Sequence, residues 1–474
     1  MLTYSFEKNS KTPLYEQLYG FIREDILAGR LPPHSKLPSK RALAQHLTLS
    51  VATVQNAYAQ LIAEGYLYTK EKQGHFVSSL ETNAPREKGR ENSFGEKGEE
   101  LLPKKEEYFF DLKSNSLSEE NFPFSAWAKI MREVISEQGK GLLQPLQYNG
   151  VPELRCAISQ YLLHFRGMLA SPEQIIIGAG SEYLYNLMIQ LLGKEVSYGF
   201  ENPGYEKLHR IFRMNRVAHF PLGMDADGLS CRELRCSPVQ AVHISPAHHY
   251  PTGIVMPISR RQELLRWAAE QKGRYIIEDD YDSEFRFSGR PIPTLFSIDE
   301  QQRVIYLNTF SKSIAPSIRI SYMVLPWELL QRFRQEMSFY SCTVPSFEQY
   351  TLAKFIRGGG FERHINRMKK TYRQKRDALI EALQASAFAE RVCIHEEKAG
   401  LHFLLSISTE LADAEIARRA AAVGVRLSFL SEYLYGESNS SYQHQLVVNY
   451  SGIDLSRLPE AMRRLEEVFL AEKG

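Results

Sequence analysis

The sequence predicts a multidomain chain: a small, mostly helical unit with a β wing, then a large α/β domain built on a mainly parallel sheet. Three observations predict it. Residues 1–80 space their apolar side chains for helices, with a tight turn between two of them. Residues 84–107 read APREKGRENSFGEKGEELLPKKEE, with 13 charged residues in 24, and only Phe94, Leu101 and Leu102 are large and apolar. From Tyr108 onward, helical patterns alternate with the short apolar runs QIIIGAG, AVHIS, RYIIEDD, RVIYLNTF and RISYMVLP, an alternation expected of a parallel sheet.

Each element has a local cause. PLYEQLYGFIREDILAG puts Leu14, Leu18, Ile22 and Ile26 on one helix face, with Pro13 suited to its first turn and Gly29 to its end. Ser39 is placed to cap a short helix carrying Leu43 and Leu47. After the turn TLS, Ser50 is placed to cap a second helix, VATVQNAYAQLIAEG, with Val54, Tyr58 and Leu61 inward and Gly65 ending it. Two short helices about a tight turn form a helix-turn-helix. YLYTKEKQGHFV then reads as two strands around Lys70, Lys72, Gly74 and His75, a wing. Residues 1–80 carry nine Lys and Arg against six Asp and Glu, a modest excess that also suits a helical protein-interaction module. Residues 81–107 bury too little apolar surface to offset their ordering entropy and read as a flexible linker. Residues 108–474 are the large domain.

Composition narrows the function classes. A chain of 474 residues holds two or three domains, and 43% hydrophobic with 24% charged residues is ordinary for a soluble protein. The net charge of +2 means that any nucleic-acid contact comes from a local patch. No apolar run is long enough for a membrane span, and MLTYSFEKNSK lacks the apolar core of a secretion signal. The five cysteines (Cys156, Cys231, Cys236, Cys342, Cys393) form no CxxC pair. No metal is expected, and reduced thiols in a cytoplasmic protein are.

Lys312 stands in NTFSKSIAPSIRISYMV, with Arg319 seven positions on. A lysine amine becomes a nucleophile when its surroundings lower its pKa. Its company matters more than the residue itself. RYIIEDDYDSEF ends an apolar strand at Asp279 and Tyr281. QIIIGAGSEYLYNLM is a strand, a Gly-rich turn and a helix start, which makes an anion site. ENPGYEKL sets Tyr205 after a Pro-Gly turn. Pyridoxal 5'-phosphate requires this set: N–H groups and a cation for its phosphate, a carboxylate for its pyridine nitrogen, a donor for its 3-oxygen, a stacking ring, and an amine for its aldehyde.

The stretches GRLPPHSKLPSKRALA and LIAEGYL resemble the winged-helix domain of the GntR family. The resemblance implies DNA contacts from Lys40 and Arg41, from Ser50 and Thr53 at the start of the recognition helix, and from the wing residues Lys70, Lys72 and His75. Val51 stands where that family usually carries an arginine, which bears on the target sequence. Residues 108–474 resemble the fold-type I aminotransferases, which implies a smaller C-terminal α+β subdomain. By that resemblance Gly180, Ser181 and Glu182 form the phosphate loop, and Ser311 or Thr309, with Arg319, the phosphate clamp. Tyr205 stacks on the ring, Asp279 pairs with the pyridine nitrogen, Tyr281 with the 3-oxygen, and Lys312 is the aldimine lysine. The whole chain resembles the MocR/GabR family of bacterial transcription regulators. This implies an effector, either an amino compound or the cofactor itself, that modulates promoter binding, and a head-to-tail homodimer.

Other readings use the same residues. One is a working aminotransferase with a DNA-binding appendage. Against it, Tyr250 in SPAHHYPTG stands where such enzymes carry Asn, and Val447 in QLVVNYSGI where many carry an arginine that forks onto the substrate carboxylate. No physiological catalysis is therefore expected beyond a residual half-transamination. Lys207 and Arg426 are candidate effector cations, and Glu432 in SFLSEYLYG would suit a ligand with a second, cationic group. Another reading is a sensor of the cofactor level alone. His248 and His249 read as a polar loop pair at the cofactor's edge, and Trp127 as a core or rim residue.

Overall fold

A computed structural model describes residues 2–7, 12–80, 107–114, 121–287, 292–398, 400–436 and 440–470. The linker expected at 81–107 lies outside these residues except for Glu107. The chain divides into two compact units, Met1–Lys105 and Glu106–Gly474.

The first unit holds α1 (Leu14–Leu27), α2 (Lys40–Leu47), α3 (Val51–Ala63), β1 (Leu67–Lys70) and β2 (Gly74–Val77). Leu18, Ile22, Leu43, Val54, Tyr58 and Leu61 are fully buried together. The Ser39 Oγ accepts the Ala42 N–H and the Ser50 Oγ accepts the Thr53 N–H, at 3.2 and 3.0 Å. Each satisfies a donor that the first helical turn would leave orphaned. Between the two helices Thr48 takes a left-handed conformation (φ 55°). β1 and β2 pair antiparallel, Leu67 opposite Val77 and Lys70 opposite Gly74. Ser50→Ala is expected to cost the small unit about 1 kcal/mol, read as a lower denaturant midpoint for its unfolding.

The second unit opens with β3 (Phe110–Asp111), α4 (Phe124–Gln138) and α5 (Pro152–Arg166). Then come β4 (Ile175–Gly178), α6 (Ser181–Leu192), β5 (Tyr198–Asn202), α7 (Glu206–Asn215), β6 (His219–Asp225), β7 (Gly228–Leu229), α8 (Cys231–Cys236) and β8 (Ala241–Ile244). α9 (Ile258–Glu270), β9 (Tyr275–Asp279), α10 (Leu295–Ile298), β10 (Val304–Thr309), β11 (Ser321–Val324), α11 (Trp327–Glu336), α12 (Ser346–Arg357) and α13 (Gly360–Ala385) follow. The chain closes with β12 (Val392–His395), β13 (His402–Ile407), α14 (Asp413–Ala422), β14 (Val425–Arg426), β15 (Gln445–Asn449) and α15 (Leu458–Phe469).

Eight strands form one sheet in the order β4-β11-β10-β9-β8-β5-β6-β7. β10, β9, β8, β5 and β6 run parallel to one another; β11 is antiparallel to β10 and β4, and β7 returns on β6 as a hairpin. β4, β8, β10 and β11 are buried along their length, as a sheet covered on both faces requires. A three-stranded antiparallel sheet, β12-β13-β15, and the parallel pair β14-β3 belong to the smaller α+β part. Trp127 is buried against Phe122 and Phe355, a core residue. Behind β9, Arg166 and Asp280 form an ion pair at 2.8 Å with side chains 2% and 1% exposed, and the Tyr306 hydroxyl donates to the same Asp280 oxygen. No helix among the described residues is long and apolar enough to cross a membrane.

Candidate functional site

In open α/β sheets, ligands bind outside the carboxyl ends of the strands. Here those ends open onto a cavity of about 350 Å³. It gathers Ser181, Glu182, Tyr205, Lys207, Asp279, Tyr281, Thr309, Ser311, Lys312 and Arg319. Gly180 precedes α6 with φ 94°, and a Cβ there would stand 2.4 Å from the Arg319 Nη2, so the turn needs glycine.

One end of the cavity is built for an anion. The first turn of α6 presents backbone N–H groups at Ser181 and Glu182. Arg319 Nη2 donates to Glu182 Oε2 at 2.9 Å, and Lys207 Nζ lies 3.1 Å from Glu182 Oε1. Burial works against ionisation of Glu182, but its own amide, Lys207 and Arg319 together hold it below the usual carboxylate range. The Thr309 hydroxyl bridges those of Ser311 and Ser321 at 2.9 and 2.8 Å.

The other groups suit a pyridine ring. Asp279 Oδ2 accepts the Tyr185 hydroxyl at 2.7 Å, and that hydroxyl stands 2.8 Å from His243 Nε2. The Tyr281 hydroxyl lies 3.3 Å from His248 Nδ1, which is 2.9 Å from Asp282 Oδ2. Burial raises the Tyr281 phenol well above its ordinary pKa, so it stays a donor. Tyr205 opens α7 beside the cavity, its phenol raised by burial. Burial lowers the Lys312 amine to about 8; Asp282 opposes the shift and Lys207 adds to it.

Arg426 and Glu432 are not brought to this cavity. Arg426 pairs with Asp111 at 3.5 Å and lies over the Tyr108 ring. Glu432 is exposed; its Oε1 caps the Phe429 N–H at 2.8 Å, and Oε2 meets Lys113 Nζ at 2.6 Å. Both line a second cavity of about 630 Å³. The 3-10 turn at Leu430–Tyr433 turns the Glu432 carboxylate back on its own backbone.

His248 and His249 are buried, unlike a polar loop pair. His249 Nε2 lies 3.3 Å from Glu201 Oε2, which also accepts the Ser245 N–H. Burial raises Glu201 to about 8, and burial with the neighbouring His248 and His243 lowers His249 to about 3, so both favour the neutral form. His248, Asp282 and His402 also stand together, with donor atoms within 4.8 Å. His248 Nδ1 meets Asp282 and His402 Nε2 the Pro251 carbonyl, whereas His248 Nε2 and His402 Nδ1 are buried without a hydrogen-bond partner. The group is a packed polar network under Tyr281.

Among the site residues that sequence reasoning missed are Glu201, His243 and Lys113, which line the cavity, and Tyr185, which does not line it but bonds to Asp279. His243, a polar residue inside the apolar run AVHIS, was the one visible signal.

On the small unit, Arg41, Ser50, Lys70 and Lys72 are exposed, while Lys40, Thr53 and His75 are half-buried. Lys72 sits at the wing tip with φ 58°, and Lys70 lies over the Phe76 ring at 5.1 Å. Burial and then Lys40 lower the pKa of His75, which favours the neutral ring at pH 7. Val51 is 44% exposed at the start of α3.

The bacterial regulatory proteins of the gntR family match residues 14–77, and aminotransferase class I and II matches residues 108–437. A GntR-type DNA-binding domain joined to a fold-type I aminotransferase domain defines a class of transcription regulator. The chain is 37% identical to the uncharacterized HTH-type transcriptional regulator YdeL of Bacillus subtilis, over 96% of each chain. It is 31% identical to the probable rhizopine catabolism regulatory protein MocR of Rhizobium meliloti, over 98% of this chain and 95% of that one. The chain belongs to this family, the MocR-type HTH regulators. The multiple substrate aminotransferase of Thermococcus profundus superposes on 77% of this chain and 92% of its own, with a TM-score of 0.68 at 26% identity. Aminotransferases of this class depend on pyridoxal 5'-phosphate, and the buried Lys312 amine, the glycine-only turn at Gly180 and the Tyr185-braced Asp279 fit that cofactor.

Proposed function

We propose that the protein is a pyridoxal 5'-phosphate-dependent transcription regulator that senses an amino compound at Lys312 and adjusts promoter binding in response. The observation that supports it best is the Lys312 amine, buried in one cavity with Asp279, Tyr281, Tyr205 and the anion cradle of Ser181 and Arg319, on a chain that also carries a winged helix. When bound, the cofactor supplies an aldehyde that condenses with amines.

The chain's own groups do the rest. The amides opening α6, the hydroxyls of Thr309 and Ser311 and the Arg319 guanidinium hold the phosphate. Asp279, braced by Tyr185, holds a proton on the pyridine nitrogen. Tyr281 donates to the 3-oxygen, Tyr205 stacks on the ring, and Lys312 supplies the amine. The effector acts by binding one arrangement of the regulator more tightly than another. Lys40, Arg41, Lys70 and Lys72 meet DNA phosphates, so affinity falls with salt, while the start of α3 around Ser50 and Thr53 meets base edges. The assembly is a cytoplasmic homodimer, arranged head to tail, that reads two half-sites.

The test is DNA binding by the cofactor-loaded protein, measured with and without amino compounds. A ligand-dependent change supports the reading; turnover of amino acids into keto acids with no change in DNA binding overturns it. The pKa of Lys312 adds a pH dependence. With a value of about 8, roughly one amine in ten is neutral at pH 7, against about one in 3,000 for an ordinary lysine. Cofactor loading, followed by absorbance, is expected to speed up about tenfold per pH unit below pH 7 and to level off above about pH 8.

A further inference from the structure

Lys113 and Glu432 are 319 positions apart in the chain and meet as an ion pair at 2.6 Å. Lys113 lines both the cavity of Lys312 and the second cavity beside it, whereas Glu432 lines only the second. The other lysines and arginine lining the first cavity have other tasks. Arg319 and Lys207 bond to Glu182 at the anion end, and Lys312 is the reactive amine. Lys113 remains, among the described lining residues, as the cation for a second acidic group.

Its place is fixed by the backbone. The Asn449 side-chain amide donates to the Lys113 carbonyl at 3.0 Å, and Asp111 accepts the Lys113 N–H at 2.8 Å. Asn449 ends β15, and that strand contributes Val447, buried against Leu404, Leu430 and Tyr250, where a cation would otherwise have to come from the strand itself. The segment laid against the end of β15 supplies the charge instead. The resident pair is a weak one: the two side chains are 37% and 39% exposed, and ion pairs so open to water hold their partners loosely. Glu432 keeps the Phe429 N–H as a partner when Lys113 leaves it.

We propose that Lys113 is the carboxylate receptor of the cavity: an effector with both an amino group and a carboxylate directs its amine toward Lys312 and takes the place of Glu432 on the Lys113 ammonium. This rests on the function proposed above and narrows the effector class to amino acids. Glu432 is then a built-in competitor, and the turn that carries it feels the arrival of the ligand.

Calorimetric titration of the cofactor-loaded full chain tests this. The probes are glycine, L-alanine, β-alanine and 5-aminopentanoate, each beside the amine that lacks its carboxylate (methylamine, ethylamine, butylamine). Lys113→Ala is expected to weaken the amino acids that bind by roughly tenfold to a hundredfold and to leave the amines unchanged. Lys113→Arg restores most of the affinity, and Glu432→Gln tightens amino acids severalfold. The proposal is overturned if no amino acid binds the wild type, if Lys113→Ala weakens amines and amino acids alike or neither, or if Glu432→Gln weakens amino acids. Visible absorbance of each sample before titration separates the two levels. A missing cofactor band overturns the function proposed above, and the same titrations on the protein as purified then decide the role of Lys113 by itself.

Discussion

Lys312→Ala is expected to leave the protein without the visible absorbance band that pyridoxal 5'-phosphate gives the wild type, at every pH. The cofactor is then held by the phosphate cradle and the Asp279 contact alone, and dialysis removes it. The response of DNA binding to amino compounds disappears with it. The cause is specific: the site places one buried amine, lowered to about 8, where an aldehyde can meet it. A band that survives in this variant would mean that another lysine carries the cofactor. Lys207 is the other lysine at the anion end, but it is 60% exposed and tied to Glu182.

Asp280→Ala is expected to destabilise the large unit by about 3–5 kcal/mol, the cost of stranding a buried charge. Arg166 is 2% exposed at the side chain, and removing Asp280 leaves its guanidinium without the carboxylate it faces; the Tyr306 hydroxyl loses its acceptor as well. Burial alone would lower the Arg166 pKa, and Asp280 first among its neighbours overrides this and holds the charge in place. Urea unfolding followed by Trp267 fluorescence would show the loss, since Trp267 is fully buried in this unit. The double variant Arg166→Met, Asp280→Leu is expected to recover much of it, because it removes both charges rather than one.

Most of the fold could be read from the sequence because its strands are buried on both faces and therefore written as apolar runs. IIIG, AVHI, YIIED, VIYLNT and SYMV are all sheet strands. Among the strands that escaped, β5 and β6 did so for a physical reason. β5 reads YGFEN and carries Glu201, whose charge is suppressed by burial, so its polarity misleads. β6 reads HFPLGMD, toward the edge of the sheet, where partial exposure tolerates Pro221 and Gly223. The cavity was legible where a residue type is tied to a local motif: Gly180 at a turn needing positive φ, Lys312 just after a strand end, Asp279 at another. It was not legible where chemistry depends on distant chain segments meeting. Tyr185 reaches Asp279 across 94 positions, and Lys113 reaches Glu432 across 319. Arg426 and Glu432 show the converse: suitable residue types in a plausible stretch, turned by local packing toward a different cavity.

The cavity draws its walls from the ends of β5, β8, β9 and β10 and from the turns before α6 and β11. No short piece of chain contains it, and an unfolded chain has no version of it. A molecule that binds only the assembled form stabilises it by mass action, about 2.7 kcal/mol at a hundredfold excess over its dissociation constant. Supply of the vitamin B6 cofactor would therefore set how much of this regulator survives heat and proteolysis, tying the number of folded copies in a cell to a small molecule that each copy holds.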